Sequence, residues 1–138
     1  MVKVVKFGGS SLANAAQYQK VIEILRADPE RRIVVVSAPG KRFKDDVKVT
    51  DLLIKYANAS GENVKVARQA VLDRYQEIAD AYHVSDSDFE QINVHLIDLV
   101  NLHHANKACR LAHFKAAGER LNAILMALVF AMQNPDKN

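Results

Sequence analysis

Hydrophobic and polar positions divide the chain into a β-rich beginning and a long helical remainder. Two short apolar runs, 2–7 and 32–38, are rich in β-branched residues, which predicts strands buried on both faces. Between them, apolar residues at i, i+3, i+4 and i+7 predict an amphipathic helix over about 12–26. A strand, a helix and a second strand form a βαβ unit, so we expect parallel neighbouring strands whose carboxyl ends lie side by side.

The remainder has helical periodicity almost throughout. It predicts helices over about 50–58, 64–82 and 86–100, of which the last two form an antiparallel hairpin. Thr50 and Ser85 are expected to cap the first and third of these. The pattern then blurs, and Gly118 is expected to separate that stretch from a final helix over 119–132. A polar tail follows at 134–138.

The predicted sheet is too small to support an independent domain. Only two strands are evident, and a two-stranded sheet rarely supports a domain. The final helix is apolar nearly all round, which predicts burial on most sides. We therefore expect the chain to be the beginning of something longer.

Composition narrows the class of protein. The 138 residues are 49% hydrophobic and 25% charged, as in a soluble globular domain. The net charge of +3 is mild and its basic residues are scattered, which argues against a nucleic-acid partner. The apolar run 123–132 is far shorter than the ~20 residues of a membrane span. These features predict a cytoplasmic protein with neither nucleic acid nor membrane as partner.

Cysteine, histidine and acidic residues give no metal site. The single cysteine, Cys109, excludes an internal disulfide and is expected to be a small buried apolar residue rather than a nucleophile. His103, His104 and His113 are expected on helix surfaces or in packing. The pair at 45–46 (Asp-Asp) is expected to be solvated. The sequence therefore predicts no metal ligands.

The turn after the first strand carries the candidate chemistry. Lys6 precedes Gly8 and Gly9, whose backbones admit a close ligand, and Ser10 or Ser11 could cap the next helix. This arrangement suits a phosphate, although it is neither a Walker A loop nor a dinucleotide fingerprint. The alternative is an ordinary corner with a solvated lysine. The βαβ unit places this turn beside the second-strand exit 37–40, where open α/β sheets bind ligands.

Four motifs in order resemble the aspartate kinases of the amino acid kinase family. They are the opening Lys-Phe-Gly-Gly-Ser-Ser at 6–11, the Ser-Ala turn at 37–38, the loop and helix at 41–53, and the Gly-Glu helix start at 118–119. The resemblance covers essentially the whole chain. It implies an α/β fold, in which 1–138 is the amino-terminal portion of one three-layer αβα kinase domain. The parallel sheet would be incomplete, about 62–113 would form a helical insertion, and any regulatory domains would be absent.

The resemblance also implies site roles. The parent enzyme would transfer a phosphoryl group from ATP, with Mg²⁺, to the β-carboxylate of L-aspartate, at the start of lysine, threonine and methionine biosynthesis. Lys6 would be catalytic, and the ATP phosphates would be bound by Lys6, Gly8, Gly9 and Ser10. Aspartate would be bound by Ser37, Thr50 and Glu119. Glu119 would pair with the α-ammonium, because a buried carboxylate without a cation would be costly. Asn122 stands where the family usually has serine, a change expected to affect packing more than chemistry.

Most of the expected active site is missing from this chain, which we therefore expect to be inactive alone. The partners implied are ATP, L-aspartate, and either a homo-oligomer or the missing remainder of the domain. The alternative is a non-catalytic module, derived from the same fold, that self-assembles or binds another protein.

Overall fold

A computed structural model describes residues 1–133 of the chain. In order, the elements are β1 (Lys3–Phe7), a 3₁₀ turn (Gly9–Leu12), α1 (Ala15–Ala27), β2 (Arg31–Val36), α2 (Val49–Asn58), α3 (Asn63–Ala81), α4 (Asp86–Asn101) and α5 (Lys107–Gln133). The predicted α/β class is confirmed. β1 and β2 are parallel, in register from Val4 opposite Ile33 to Phe7 opposite Val36, as the βαβ unit requires. The polar tail predicted at 134–138 lies outside the described residues.

The two-stranded sheet has one covered face and one bare face. Val5, Phe7 and Val34 pack against the core, whereas Val4, Ile33 and Val35 are 63%, 52% and 45% exposed. The prediction of strands buried on both faces is therefore wrong for this chain. The physical reason is that side chains alternate along a strand, and the described helices cover only one of the two faces.

Two predicted helix caps are wrong, and a third is confirmed. Ser10 and Ser11 lie within the 3₁₀ turn, and the cap of α1 is Asn14, whose side chain accepts from Gln17 N–H at 3.0 Å. Thr50 is the second residue of α2, because the helix starts where Val49 N–H donates to the Pro39 carbonyl at 3.2 Å. Ser85 caps α4 as predicted, accepting from Asp88 N–H at 3.2 Å.

Helix α5 runs without interruption through Gly118. The predicted helix start at Gly118 and Glu119 is therefore wrong. A Cβ at Gly118 would lie 2.7 Å from the Ala38 Cβ and 3.0 Å from a Leu53 methyl. Close packing of α5 against α2 and the end of β2 explains this glycine better than a helix break does. The buried Tyr75 hydroxyl of α3 donates to the Gly118 carbonyl at 2.8 Å, so three helices meet here.

The helices share one core. Tyr18, Tyr56 and Tyr75 are among the largest fully buried side chains, and each hydroxyl has a hydrogen-bond partner. Helix α4 contacts both α3 and α5. Among residues 1–133, no helix is long and apolar enough to cross a membrane.

Candidate functional site

A cleft of about 850 Å³ opens at the carboxyl ends of the two strands. Five predicted site residues line it together: Gly9, Ser10, Ser37, Thr50 and Glu119. The other lining residues are Ala38, Pro39, Gly40, Lys41, Lys48, Ala112, Lys115 and Ala116. The structure thus brings the four sequence motifs to one place, at the edge of the sheet where the βαβ connection predicted a ligand.

Two predicted phosphate residues do not line the cleft. Lys6 is exposed on β1, and because it alternates with Val5 and Phe7, which pack on the core, it lies on the bare face of the sheet. Gly8 is exposed at the start of the turn, and a Cβ there would meet no atom of the described residues within 4 Å. A close backbone neighbour therefore requires glycine at position 9, whereas position 8 has no such steric need.

The floor of the cleft is a contact between two backbones. Ser37 N–H donates to the Phe7 carbonyl at 3.1 Å, and Gly40 N–H donates to the Gly9 carbonyl at 2.8 Å. A Cβ at Gly9 would lie 2.9 Å from the Ala38 oxygen, and one at Gly40 would lie 2.8 Å from the Gly9 carbonyl carbon. Because these neighbours are backbone atoms, the two strand exits can touch only if both positions are glycine.

One wall is the loop 40–48, which a buried arginine ties to α3. Arg74 is 5% exposed, and its guanidinium donates to the Gly40 carbonyl at 2.6 Å and to the Val47 carbonyl at 2.5 Å. Burial lowers the pKa of Arg74 from its usual value. The two ends of the loop are thus held on one side chain, so Lys41 and Lys48 project from an anchored segment.

An ion pair folds the same loop on itself. The Arg42 guanidinium contacts the Asp46 carboxylate at 2.7 and 3.0 Å and Glu77 of α3 at 2.7 Å. These bonds from Arg42 hold the pKa of Asp46 well below its usual range. The Asp46 side chain is only 7% exposed, so the predicted solvated acidic pair is wrong for Asp46, although Asp45 is exposed.

The opposite wall is α5, positioned by a buried amide. Asn122 is fully buried. Its NH₂ group donates to the Ser37 carbonyl at 2.7 Å and its oxygen accepts from the Tyr18 hydroxyl. Asn122 thereby joins α1, α5 and the end of β2, so its role is in packing and positioning, as expected. Burial raises the pKa of Tyr18 well above its usual value, which keeps that hydroxyl a donor.

Glu119 lines the cleft from this wall but is exposed. The expectation of a buried carboxylate is therefore wrong, because Glu119 lies on the outer surface of a continuous helix. Lys115, one turn earlier, lines the cleft too. A cation and an anion on one helix surface suit a ligand that carries both charges.

The charge of the cleft is mainly positive. Lys41, Lys48 and Lys115 line it, against one carboxylate, Glu119. Sequence reasoning missed these three lysines, although the first two bracket the loop that follows the predicted ligand edge. Multiply charged anions such as phosphates are favoured here, with Glu119 available for an ammonium group. Among residues 1–133, no group of three or more His, Cys, Asp or Glu side chains could hold a metal ion.

Comparisons with known proteins identify the family to which the chain belongs. The sequence model of the amino acid kinase family matches residues 1–136. Aspartokinase 3 of Bacillus subtilis (strain 168) is 46% identical over 132 residues, which are 94% of this chain and 29% of that protein. The chain therefore spans less than a third of this relative's length.

Solved structures of similar proteins are also much longer. Clostridium acetobutylicum aspartate kinase matches with 30% identity and a TM-score of 0.71, over 90% of this chain and 28% of that chain. E. coli aspartokinase III, solved in complex with aspartate and ADP, has 20% identity and a TM-score of 0.78, over 97% of this chain and 30% of that chain. The second match supports the fold alone.

Proposed function

The chain belongs to the amino acid kinase family, and from that premise we propose that it is the amino-terminal part of an aspartate kinase. The whole enzyme would transfer the γ-phosphoryl group of ATP, bound with Mg²⁺, to the β-carboxylate of L-aspartate in the cytoplasm. Residues 1–138 would form the first portion of its kinase domain, with about 62–113 as a helical insertion. His113 lies inside α5, so the insertion would end within that helix. Because the chain spans 29% of its relative, the remaining catalytic groups would come from the rest of the enzyme.

The observation that carries this proposal is the convergence of Gly9, Ser37, Thr50 and Glu119 on one cleft. Phosphoryl transfer requires positioning and charge stabilisation more than covalent chemistry from the protein. Gly9 and Ser10 border the cleft where phosphate oxygens could accept from backbone or hydroxyl donors. In our proposal the Lys6 ammonium reaches these phosphates from the bare face of the sheet, one residue before the end of β1.

The aspartate end of the site would use the exit of β2, the first turn of α2 and the α5 wall. The hydroxyls of Ser37 and Thr50 are candidate donors to substrate carboxylates, and Thr50 is not occupied as a helix cap. Glu119 would pair with the α-ammonium, and Lys115, one turn away, would complement a carboxylate.

The decisive experiment separates the ammonium from the carboxylates of the ligand. We expect calorimetric or NMR titration of the chain to show L-aspartate binding that Glu119→Gln weakens by about tenfold, the equivalent of ~1.4 kcal/mol. Succinate has the same two carboxylates without the ammonium, so Glu119→Gln should leave succinate binding unchanged or strengthen it. Glu23→Gln, an exposed change on α1, is the matched control. Equal losses for aspartate and succinate would refute the role of Glu119.

ATP binding tests the other half of the site. Lys6→Ala should weaken binding of ATP to the chain, whereas Lys20→Ala, which removes an exposed lysine on α1, should not. Activity belongs to the whole enzyme, where Lys6→Ala should lower kcat for aspartyl phosphate formation. An unchanged kcat would contradict the catalytic assignment of Lys6.

A second proposal concerns assembly, and the uncovered sheet favours it. A groove of about 740 Å³ lies between β2 and the end of α5, with Val34, Val36, Met126 and Phe130 in its lining. It adjoins a sheet on which Ile33 and Val35 are half exposed. We propose that the rest of the kinase domain or a second copy of the chain covers these surfaces. The alternative of a self-assembling module without catalysis predicts oligomers that bind neither ATP nor aspartate.

Light scattering on the purified chain distinguishes these possibilities. Oligomers at micromolar concentration support self-association through the uncovered sheet. A stable compact monomer counts against it, and would leave the remainder of the domain as the proposed cover. Ile33→Lys places a charge on the bare face and should shift oligomers toward monomer, whereas Val66→Lys, on an exposed position of α3, should not.

A further inference from the structure

A hydrogen-bonded row of side chains lies where α4 passes into α5, and the proposed kinase site does not use it. The Cys109 sulfur is 3.8 Å from His113 Nε2. His113 Nδ1 is 2.9 Å from His104 Nδ1, and His104 Nε2 is 3.0 Å from the Leu99 carbonyl oxygen. None of these residues lines the cleft at the strand ends. We call the three side chains of Cys109, His113 and His104 the relay.

The fixed end of the relay determines where its protons lie. The Leu99 carbonyl can only accept, so His104 Nε2 carries a proton and donates to it. In neutral His104, Nδ1 is then an acceptor, and His113 Nδ1 must donate to it. This tautomer leaves the lone pair of His113 Nε2 directed at the Cys109 thiol. The relay therefore has a base beside a nucleophile, with a third group that orients the base.

We propose that Cys109 is a reactive thiol that forms mixed disulfides with small disulfides, and that His113 is its general base. In the step, His113 Nε2 takes the thiol proton while the Cys109 sulfur attacks one sulfur of the disulfide. The disulfide S–S bond breaks as the new one forms, and the departing thiolate takes the proton from His113 and leaves as a thiol. The exchange consumes one disulfide and yields one mixed disulfide and one thiol, without another oxidant.

The surroundings support charge separation in this step. When His113 accepts the proton, its Nδ1–H still donates to His104, which spreads the positive charge along the relay. Cys109 lies in the first turn of α5, where the helix dipole favours negative charge developing on sulfur. His104 also lies against the buried Phe114 ring, with centroids 6.1 Å apart, which holds the imidazole in place. Cys109 is partly exposed, so small reagents can reach it; the expectation of a buried cysteine is wrong.

The whole chain tests this directly, because it has one cysteine. The folded chain is incubated with glutathione disulfide at neutral pH, and the adduct is followed by intact-mass spectrometry. We expect a single adduct that Cys109→Ser abolishes, formed at least about tenfold faster than in His113→Gln, a smaller factor than general-base catalysis usually gives. His104→Gln should give an intermediate rate. His103→Gln changes the neighbouring exposed histidine outside the relay and should keep the unaltered rate.

Two further measurements show whether the folded relay sets the rate. In concentrated urea the unaltered chain and His113→Gln should react equally, because the relay requires the fold. Iodoacetamide, a neutral alkylating reagent, should rank the folded variants in the same order. Equal rates for the folded unaltered chain and His113→Gln, or an equal loss in His103→Gln, would overturn the proposal. Circular dichroism of each variant confirms that the helices are intact; His113 is exposed, so glutamine is expected to be tolerated there.

Discussion

Replacing Arg74 by methionine tests how the loop 40–48 is held. The substitution keeps an unbranched side chain in the core but removes the donors to the Gly40 and Val47 carbonyls, at 2.6 and 2.5 Å. It also removes a cation 3.7 Å from the Asp46 carboxylate. The two ends of the loop then lose their shared attachment to α3. The remaining link between the loop and α3 is the ion pair of Arg42 with Glu77.

The expected loss of stability is the contribution of the two Arg74 hydrogen bonds minus the desolvation cost that methionine avoids. A hydrogen bond from a charged group contributes roughly 1.5–3 kcal/mol, and an acceptor left unpaired when buried keeps most of that cost. Gly40 is buried, whereas Val47 is exposed and its carbonyl can turn to water. Methionine avoids the cost of desolvating the guanidinium, which includes a buried Arg74 Nε without a hydrogen-bond partner among residues 1–133. We therefore expect a net loss of about 2 kcal/mol, less than the sum of two charged bonds.

Urea unfolding and amide exchange together measure this effect. Arg74→Met should lower the free energy of unfolding by about 2 kcal/mol. Hydrogen exchange of the amides at 41–47 should accelerate by more than this loss of global stability alone would cause. Arg74→Lys should recover only part of the lost stability, since an ammonium cannot reproduce the two parallel donors of the guanidinium. Lys65→Met removes an exposed cation from the same helix and is the matched control. Unchanged exchange at 41–47 in Arg74→Met would refute the reasoning, whatever the global stability.

Three further predictions concern the walls and floor of the cleft. Asn122→Ala leaves two buried polar partners unpaired and should lower the free energy of unfolding in urea by about 2–4 kcal/mol; a loss under about 1 kcal/mol would contradict its positioning role. Because Arg42 holds the pKa of Asp46 below its usual range, the Asp46 carboxylate stabilises the fold above a pH of about 4, and this contribution is lost as pH falls below that value. Asp46→Asn should therefore flatten the acid side of a plot of Tm against pH, and equal slopes would count against it. Gly40→Ala should cost about 1–3 kcal/mol through backbone clashes, whereas Gly8→Ala, which meets no atom within 4 Å, should change Tm little.

The fold was predictable where local pattern and chain connectivity agree. The β-branched runs, the intervening helix and the parallel pairing followed from periodicity and from the handedness of βαβ units. The continuity of α5 was not predictable, because glycine locally disfavours a helix by only ~1 kcal/mol, and tertiary packing at Gly118 outweighs that. The bare face of the sheet also escaped prediction, since an apolar run that predicts burial on both faces does not show whether the covering layer belongs to the same chain.

The position of the site at the edge of the sheet was predictable, whereas the buried residues that hold its walls were not. Parallel strands fixed where Gly9 and Ser37 would meet, and the family motifs placed Thr50 and Glu119 with them. Arg74 and Asn122, which position the walls, form contacts distant in sequence that no local motif encodes. Both nevertheless interrupt apolar helix faces: Arg74 lies at helical spacing between Val71 and Ile78. A charged or amide side chain on such a face was the available signal.

The contact between Ala38 and Gly118 couples two positions that are 80 residues apart in sequence. There is room for one methyl group between α5 and the end of β2, and Ala38 fills it. Substitutions at the two positions should therefore be epistatic. Gly118→Ala alone should be strongly destabilising, and Ala38→Gly in the same molecule should restore most of the lost stability, with the Leu53 methyl at 3.0 Å as the remaining close contact. Homologous sequences with glycine at position 38 are expected to permit alanine at position 118, so the pair should covary. A stepwise evolutionary route to alanine at position 118 would therefore pass through Ala38→Gly first.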